Sequence, residues 1–405
     1  MPLPTASGSP PHSPAHIAPF PKIITFVPVS ACVFPEIDYL DWISGRPESA
    51  SYDLGSSDLR RPLPDPDGVV PPELADLPEP PEDTDLETII AEGYDVEPEN
   101  VLVTAGATHA NFLAVAAAIN DANEDSNSDD DETGHHDPRV LVEKPGYEPL
   151  VATPEGLGAT VDRFYRLEED DYALDPSRVS GATTDDTRCI VVTNRHNPSG
   201  NRAERETIAD ASSAAVENDA YLIVDEVYAP FCENTDPSVF GGPTGAGLPN
   251  TVVTNSLTKF HGFGSVRIGW LVADAEFVSR AQSIMYHVPA VSGPAVALAR
   301  RALFSDAQLA AQSRERIVEN QELLAEFVAG RDDLTGTATA GCTYGFFEHE
   351  SADGDEVSEA AWEDGILVVP GRFFDDEERF RLSLGHDGET VKKGLERFGS
   401  VLNEL

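Results

Sequence analysis

Residues 189–200 read Cys-Ile-Val-Val-Thr-Asn-Arg-His-Asn-Pro-Ser-Gly, and residues 221–228 read Tyr-Leu-Ile-Val-Asp-Glu-Val-Tyr. Each is a short run rich in Val and Ile that ends on polar residues able to do chemistry. Apolar side chains at every position, rather than at alternate ones, suit a strand buried on both faces, as in a parallel sheet. The same pattern recurs outward from these runs, at 101–104 (VLVT), 140–143 (VLVE), 251–256 (TVVTNS) and 269–274 (GWLVAD). Between them, 107–119 (ATHANFLAVAAAI) and 205–217 (RETIADASSAAVE) are Ala-rich and helix-prone. Strands alternating with helices predict an α/β domain with a mostly parallel central sheet.

The pattern changes after Pro294. Helices are expected over 295–304 and 307–330, then a strand at 344–350 and a short helix. A strand pair around ILVVPG and RFRLSL and a last helix over 388–402 complete an α+β unit. The organisation expected is a disordered tail over 1–21, an N-terminal segment over 22–70, a large domain over 71–292 and a small domain over 293–405. The segment 22–70 has little periodicity and is expected to wrap onto the small domain. Residues 71–85 are rich in Pro and acid and read as irregular. Residues 121–137 read as a solvated acidic loop. His135 and His136 fall within it; neighbours in sequence cannot easily face one ion, so no metal site is expected.

The 405 residues carry 27 Lys+Arg against 72 Asp+Glu, a net charge of −45. That charge excludes nucleic acid and anionic membrane as partners, since both need a positive face. Only five lysines occur, at 22, 144, 259, 392 and 393; the other 22 basic residues are Arg. An acidic, Lys-poor composition resembles cytosolic proteins of salt-accumulating halophiles. The first 21 residues have neither a basic region nor an apolar core, so they do not read as a secretory signal. No uninterrupted apolar run is long enough for a membrane span. Cys32, Cys189, Cys232 and Cys342 form no Cys-x-x-Cys pair, so neither zinc nor thioredoxin chemistry is written here. A soluble cytoplasmic protein is expected.

The chemistry lies where the expected strands end, the edge at which open α/β sheets bind ligands. In chain order it comprises Gly106-Ala107-Thr108, Pro145-Gly146-Tyr147, Asn197-Pro198-Ser199-Gly200, Asp225-Glu226-Val227-Tyr228, Ser256-Leu257-Thr258-Lys259 and Arg267-Ile268-Gly269. Taken singly, each has a plain reading. Asn197–Gly200 is an ordinary turn, Asp225 a helix cap, Tyr147 a loop aromatic, and Arg381 an ion-paired arginine. Together they suit a phosphorylated pyridine aldehyde. Lys259, the one lysine between 145 and 391, can form an imine, and Arg267 is expected to put positive charge beside it and favour the neutral amine. Asp225 can hold a proton on the ring nitrogen. Tyr228 and Asn197 can bond the phenolic oxygen, and Tyr147 can stack on the ring. The N–H groups at Ala107–Thr108, the Ser256 hydroxyl and the Arg267 guanidinium can hold the phosphate.

This set resembles the class I/II aminotransferases, fold-type I enzymes dependent on pyridoxal 5′-phosphate (PLP). The resemblance covers about 85–400 and adds Val369-Pro370-Gly371 and Phe380-Arg381-Leu382-Ser383 to the motifs above. It implies that Lys259 is the Schiff-base lysine, Asp225 the pyridinium partner, and Tyr228 and Asn197 the phenolate partners. Tyr147 would be the stacking aromatic; Ser256, Arg267, Ala107 and Thr108 would bind phosphate; Arg381 would clamp the substrate α-carboxylate. It further implies a homodimer that exchanges an amino group between an amino acid and a 2-oxo acid. A PLP lyase, decarboxylase or synthase shares these residues, and a noncatalytic protein of the same fold is the other alternative. One departure stands out. Where the family carries a Tyr-x-x-x-x-Gly stretch whose tyrosine reaches the partner subunit's phosphate, this chain has Leu77-Pro78-Glu79-Pro80-Pro81-Glu82.

Overall fold

A computed structural model describes residues 34–61, 70–125, 137–231, 242–336 and 338–405. The expected tail over 1–21, Cys32, Cys232, His135 and His136 lie outside them. The described chain begins with two short helices, α1 (Asp38–Ile43) and α2 (Arg46–Ser49), and a two-residue strand, β1 (Tyr52–Asp53). The stretch over 71–85 is less irregular than its composition suggests. It contains the single turn α3 (Pro72–Ala75), and its Leu74 and Leu77 are buried in one apolar cluster with Ile89, Ile90 and Leu303. Helix α4 (Leu86–Tyr94) follows, its first turn capped by the Asp85 carboxylate, which accepts from the Thr88 N–H at 2.8 Å.

The alternating part follows as β2 (Val101–Thr104), α5 (Ala107–Asp125), β3 (Arg139–Lys144), α6 (Pro149–Gly156), β4 (Thr160–Tyr165), α7 (Pro176–Ala182), β5 (Thr187–Thr193), α8 (Arg205–Glu217), β6 (Tyr221–Asp225), β7 (Thr251–Ser256), β8 (Gly269–Val272) and α9 (Ala275–Met285). Its seven strands form one sheet in the order β2-β8-β7-β6-β5-β3-β4. The pairs β3–β4, β3–β5, β5–β6 and β6–β7 are parallel. Strand β8 runs antiparallel to both β2 and β7, so β2 points the same way as the parallel strands. The carboxyl ends of β2, β5, β6 and β7 therefore share one edge. Strand β4 has no continuous apolar run, because it is the sheet's edge and only Phe164 in it is buried. Helix α5 runs past the expected 119 to Asp125, into the stretch read as loop.

The remaining elements are α10 (Gly293–Phe304), α11 (Asp306–Ala329), β9 (Leu334–Thr335), β10 (Tyr344–His349), α12 (Gly354–Glu363), β11 (Ile366–Leu367), β12 (Val369–Pro370), β13 (Arg379–Ser383) and α13 (Gly388–Leu402). Strands β12-β13-β10-β9 make an antiparallel sheet. Its apolar face packs on α13, with Phe347, Phe380, Leu382, Val391 and Phe398 in one cluster. Strand β1 pairs in parallel with β11, Tyr52 opposite Ile366, and Leu54 joins the same cluster. No helix among the described residues is long and apolar enough to cross a membrane.

Candidate active site

Three strand ends place the reactive groups. Strand β6 finishes on Asp225, and β7 finishes on Ser256, three residues before Lys259. Strand β5 finishes on Thr193, whose hydroxyl accepts from the Asn197 N–H at 3.1 Å and so sets the start of the Asn-Pro-Ser-Gly turn. Behind Thr193 stands a buried ion pair, Glu143 with Arg166 at 2.8 Å; Glu143 also accepts from the Thr193 N–H at 2.8 Å. The ends of β5, β6 and β7 border one cavity of about 220 Å³, lined by all ten side chains or backbones singled out in the sequence: Ala107, Thr108, Tyr147, Asn197, Asp225, Tyr228, Ser256, Lys259, Arg267 and Arg381.

At the sheet end of the cavity, Asp225 is buried, and burial pushes its carboxyl up. Asn111 Nδ2 donates to it at 2.8 Å, and the Val227 N–H at 3.1 Å. The Asn111 amide is itself aligned by Thr254, whose hydroxyl donates to Asn111 Oδ1 at 2.6 Å. Among the described residues no cation forms an ion pair with Asp225. A buried carboxylate held by two neutral donors and facing a cavity is matched to a cationic ligand atom.

The phosphate end is built by close backbone approach. Gly106 has φ +86, and a Cβ there would come within 3.0 Å of the Arg267 guanidinium. Gly269 is tighter: a Cβ would lie 2.6 Å from the Gly106 carbonyl carbon and 2.8 Å from the Ala107 nitrogen. Only a chain without side chains at both positions lets β8 press against the turn that starts α5. Arg267, itself left-handed at φ 55, donates to the Ala105 carbonyl at 3.3 Å and reaches the same cradle.

Lys259 Nζ donates to Ser57 Oγ at 3.2 Å, and Ser57 Oγ lies 2.6 Å from Tyr228 Oη. The expected effect of Arg267 on this lysine is not found. Burial alone favours the neutral amine, but Tyr228, Asp58 and Tyr39 outweigh it and hold Lys259 above its ordinary value. The cation that opposes them is Arg381; Arg267 is turned to the Ala105 carbonyl at the phosphate cradle.

Arg381 comes from β13 and is buried. Its Nη1 donates to Asn197 Oδ1 at 2.9 Å and its Nη2 to the Gly55 carbonyl at 3.0 Å, while its Nε has no partner. No carboxylate among the described residues pairs with it, so the plain reading of an ion-paired arginine does not hold. Burial disfavours its charge, yet Tyr39 and Tyr228 hold its pKa up. Five further lining residues escaped the sequence reading: Tyr39, Leu40, Ser57, Asn111 and Thr193. Asn111 left a trace, a lone amide four residues after Ala107 on the same face of an Ala-rich helix. Tyr39 and Ser57 left none, because they sit in a stretch without periodicity.

PLP fits these residues. The glycine-lined cradle offers N–H groups, a hydroxyl and a guanidinium of the kind a phosphate requires, and Asp225 offers a buried carboxylate of the kind a protonated ring nitrogen requires. A family model described as "Aminotransferase class I and II" matches residues 73–398. The aspartate/prephenate aminotransferase of Thermus thermophilus is 26% identical over 319 residues, 76% of this chain and 77% of that protein. The histidinol-phosphate aminotransferase of Halorubrum lacusprofundi is 24% identical over 322 residues, 80% of each. Among solved structures, a PLP-dependent aminotransferase from Streptococcus suis superposes with a TM-score of 0.76 at 22% identity, covering 92% of this chain and 98% of that one. Aspartate aminotransferase from Thermus thermophilus with maleate gives 0.73 at 22% identity, over 90% and 95%. The cradle, the buried carboxylate and the lysine thus sit in a chain that belongs to the class I and II aminotransferases, PLP-dependent enzymes that transfer an amino group between an amino acid and a 2-oxo acid.

Proposed function

We propose that Lys259 is the residue that holds PLP and moves the substrate proton, and that Arg381 fixes the substrate by its α-carboxylate. The observation that carries this reading is the convergence of one lysine, one buried carboxylate and one unneutralised arginine on a single cavity. Bound PLP supplies a sink for the electron pair left at the substrate Cα. Asp225 keeps a proton at the ring nitrogen, and Asn111 and the Val227 N–H keep Asp225 aimed there. Tyr228 and Asn197 serve the phenolic oxygen and Tyr147 the ring face. Ser256, Arg267 and the Ala107 and Thr108 N–H groups hold the phosphate. Arg381 offers two parallel donors to a carboxylate, which fixes the direction of the Cα–H bond. Lys259 Nζ takes that proton once its own ammonium has been discharged.

In this reading the 71–292 unit carries the cofactor, while 22–70 and 293–405 bring Tyr39, Ser57 and Arg381 to the substrate side. A homodimer completes the proposal, supported by the exposed stretch 286–290, in which Tyr286 is 74% and Val288 46% exposed. A cytoplasmic, salt-adapted setting is supported by the −45 net charge. Borohydride reduction of the holoenzyme followed by peptide mapping tests the lysine. The expected label is on Lys259; a label on Lys144 or Lys393 overturns the assignment. Sedimentation of Tyr286→Asp tests the dimer, which the charge should dissociate.

A further inference from the structure

Ser57 stands between two groups that the reading above assigns to the chemistry, and the following inference rests on that reading. Its hydroxyl accepts from Lys259 Nζ at 3.2 Å and lies 2.6 Å from Tyr228 Oη. Nζ sits over the Tyr228 ring, 5.8 Å from the centroid, so it meets the tyrosine by its face and reaches the hydroxyl through Ser57. Ser57 and Tyr228 are buried. The turn that presents the serine is firmly held. Asp53 Oδ1 accepts from the Gly55 N–H at 3.1 Å and the Ser56 N–H at 2.8 Å, and Asp53 Oδ2 pairs with Arg60 at 2.9 Å. Two residues on, the Leu59 N–H donates to the Lys259 carbonyl at 2.9 Å. The N-terminal segment thus grips Lys259 at its backbone and at its tip.

Two hydrogen bonds in series through a hydroxyl have a direction. An ammonium has no lone pair, so a protonated Nζ donates, Ser57 accepts and passes its own proton to Tyr228 Oη, and the Tyr228 proton points into the cavity. A neutral amine can accept from Ser57, which then accepts from Tyr228, and the Tyr228 proton turns out of the cavity. We propose that Ser57 is a relay that ties the proton on Lys259 Nζ to the direction of the Tyr228 hydroxyl. Each hydroxyl keeps one proton throughout, and the only proton gained is the one Nζ takes from the substrate Cα. Its arrival swings the Tyr228 proton toward the place assigned to the phenolic oxygen. The surroundings of Nζ suit a group that must hold that proton: Tyr228, Asp58 and Tyr39 favour the ammonium, while burial and Arg381 oppose it. Tyr147, Asp225 and Arg267 complete the titratable groups that line the cavity among the described residues.

Trace acetylation of the full-length apoprotein with acetic anhydride reads the pH midpoint of Lys259 without turnover, with the exposed Lys392 and Lys393 as internal references. Ser57→Ala should lower the Lys259 midpoint by at least about half a pH unit, since the ammonium loses an acceptor. Ser57→Thr keeps the hydroxyl and should restore it; a midpoint left at the alanine value assigns the shift to packing and overturns the relay. Tyr228→Phe should also lower the midpoint, and in the Ser57→Ala background that shift should shrink at least about threefold, because the connection is already cut. An unmoved midpoint in Ser57→Ala, or equal Tyr228→Phe shifts in both backgrounds, overturns the proposal. The cofactor assignment is tested apart from this. If borohydride labels another lysine in the holoenzyme while the Lys259 midpoint still answers to Ser57 and Tyr228 jointly, the reading of Lys259 fails and the relay stands. If the label is on Lys259 and the midpoint ignores Ser57, the reading stands and the relay falls.

Discussion

Arg381 is a charge that the chain leaves unneutralised. A guanidinium buried on carbonyls and a side-chain amide, with its Nε unpaired, keeps its fork available for an anion. Arg381→Lys retains the charge and loses the fork. Its kcat/KM should fall by about two to three orders of magnitude, while PLP affinity and melting temperature stay near wild type. Near-normal kinetics in a destabilised protein would instead mark a structural arginine. Asp225→Ala should keep cofactor in the Ser256–Arg267 cradle but lose most α-proton abstraction, a penalty of several kcal/mol in single-turnover rate. Lys259 gives a pH prediction with a definite sign. Its pKa is raised, so at neutral pH the amine is protonated and cannot attack the aldehyde. Capture of PLP by the apoprotein should therefore accelerate about tenfold per pH unit between about pH 7 and 9, without a plateau. A plateau near neutrality would show a depressed lysine.

The elements separate what sequence can and cannot show. Strands β5, β6 and β7 were legible because burial on both faces fills their middles with Val, Ile and Leu, and the polar terminators Asp225 and Ser256 named the site, whereas Thr193 at the end of β5 was read only as strand. Strand β4 was not, because an edge strand needs one buried side chain and spends the rest on solvent. Helix α1 is a single turn and a half, with no period to read; it is held by Glu148, 110 residues away, and no local pattern announces such a partner. Glu148→Ala should leave β-sheet content and PLP binding intact but free α1, raising KM several-fold with a smaller change in kcat. Equal losses in both would place Glu148 in the chemistry. The two glycines between β8 and α5 make a harder test. Gly269→Ala drives a methyl into the Gly106–Ala107 backbone, so β8 and the phosphate turn must part. PLP dissociation, read by equilibrium titration, should rise at least about tenfold. Retention of full affinity would mean that the cradle is slack.

At the scale of the whole molecule, charge is the dominant fact. Many of the 22 arginines are spent on local duties: Arg166 on Glu143, Arg195 on the Phe231 and Gly200 carbonyls, Arg60 on Asp53, Arg379 on Glu168 and Glu348. They leave a large carboxylate surplus without partners. That repulsion reaches about 30 Å at 0.01 M salt and about 3 Å at 1 M. The thermal midpoint should rise steadily between roughly 0.05 and 2 M KCl, and a flat profile would contradict the salt-adapted reading. The site is also spread over nearly the whole length of the chain. Tyr39 and Ser57 come early, Lys259 in the middle and Arg381 late, and β1 waits for β11 across more than 300 residues. During synthesis, then, the residues proposed for the cofactor precede Arg381, the proposed substrate clamp. A nascent chain released after α9 would own Lys259, Asp225 and the phosphate cradle but no Arg381, and would be able to sequester the vitamin before it could use it.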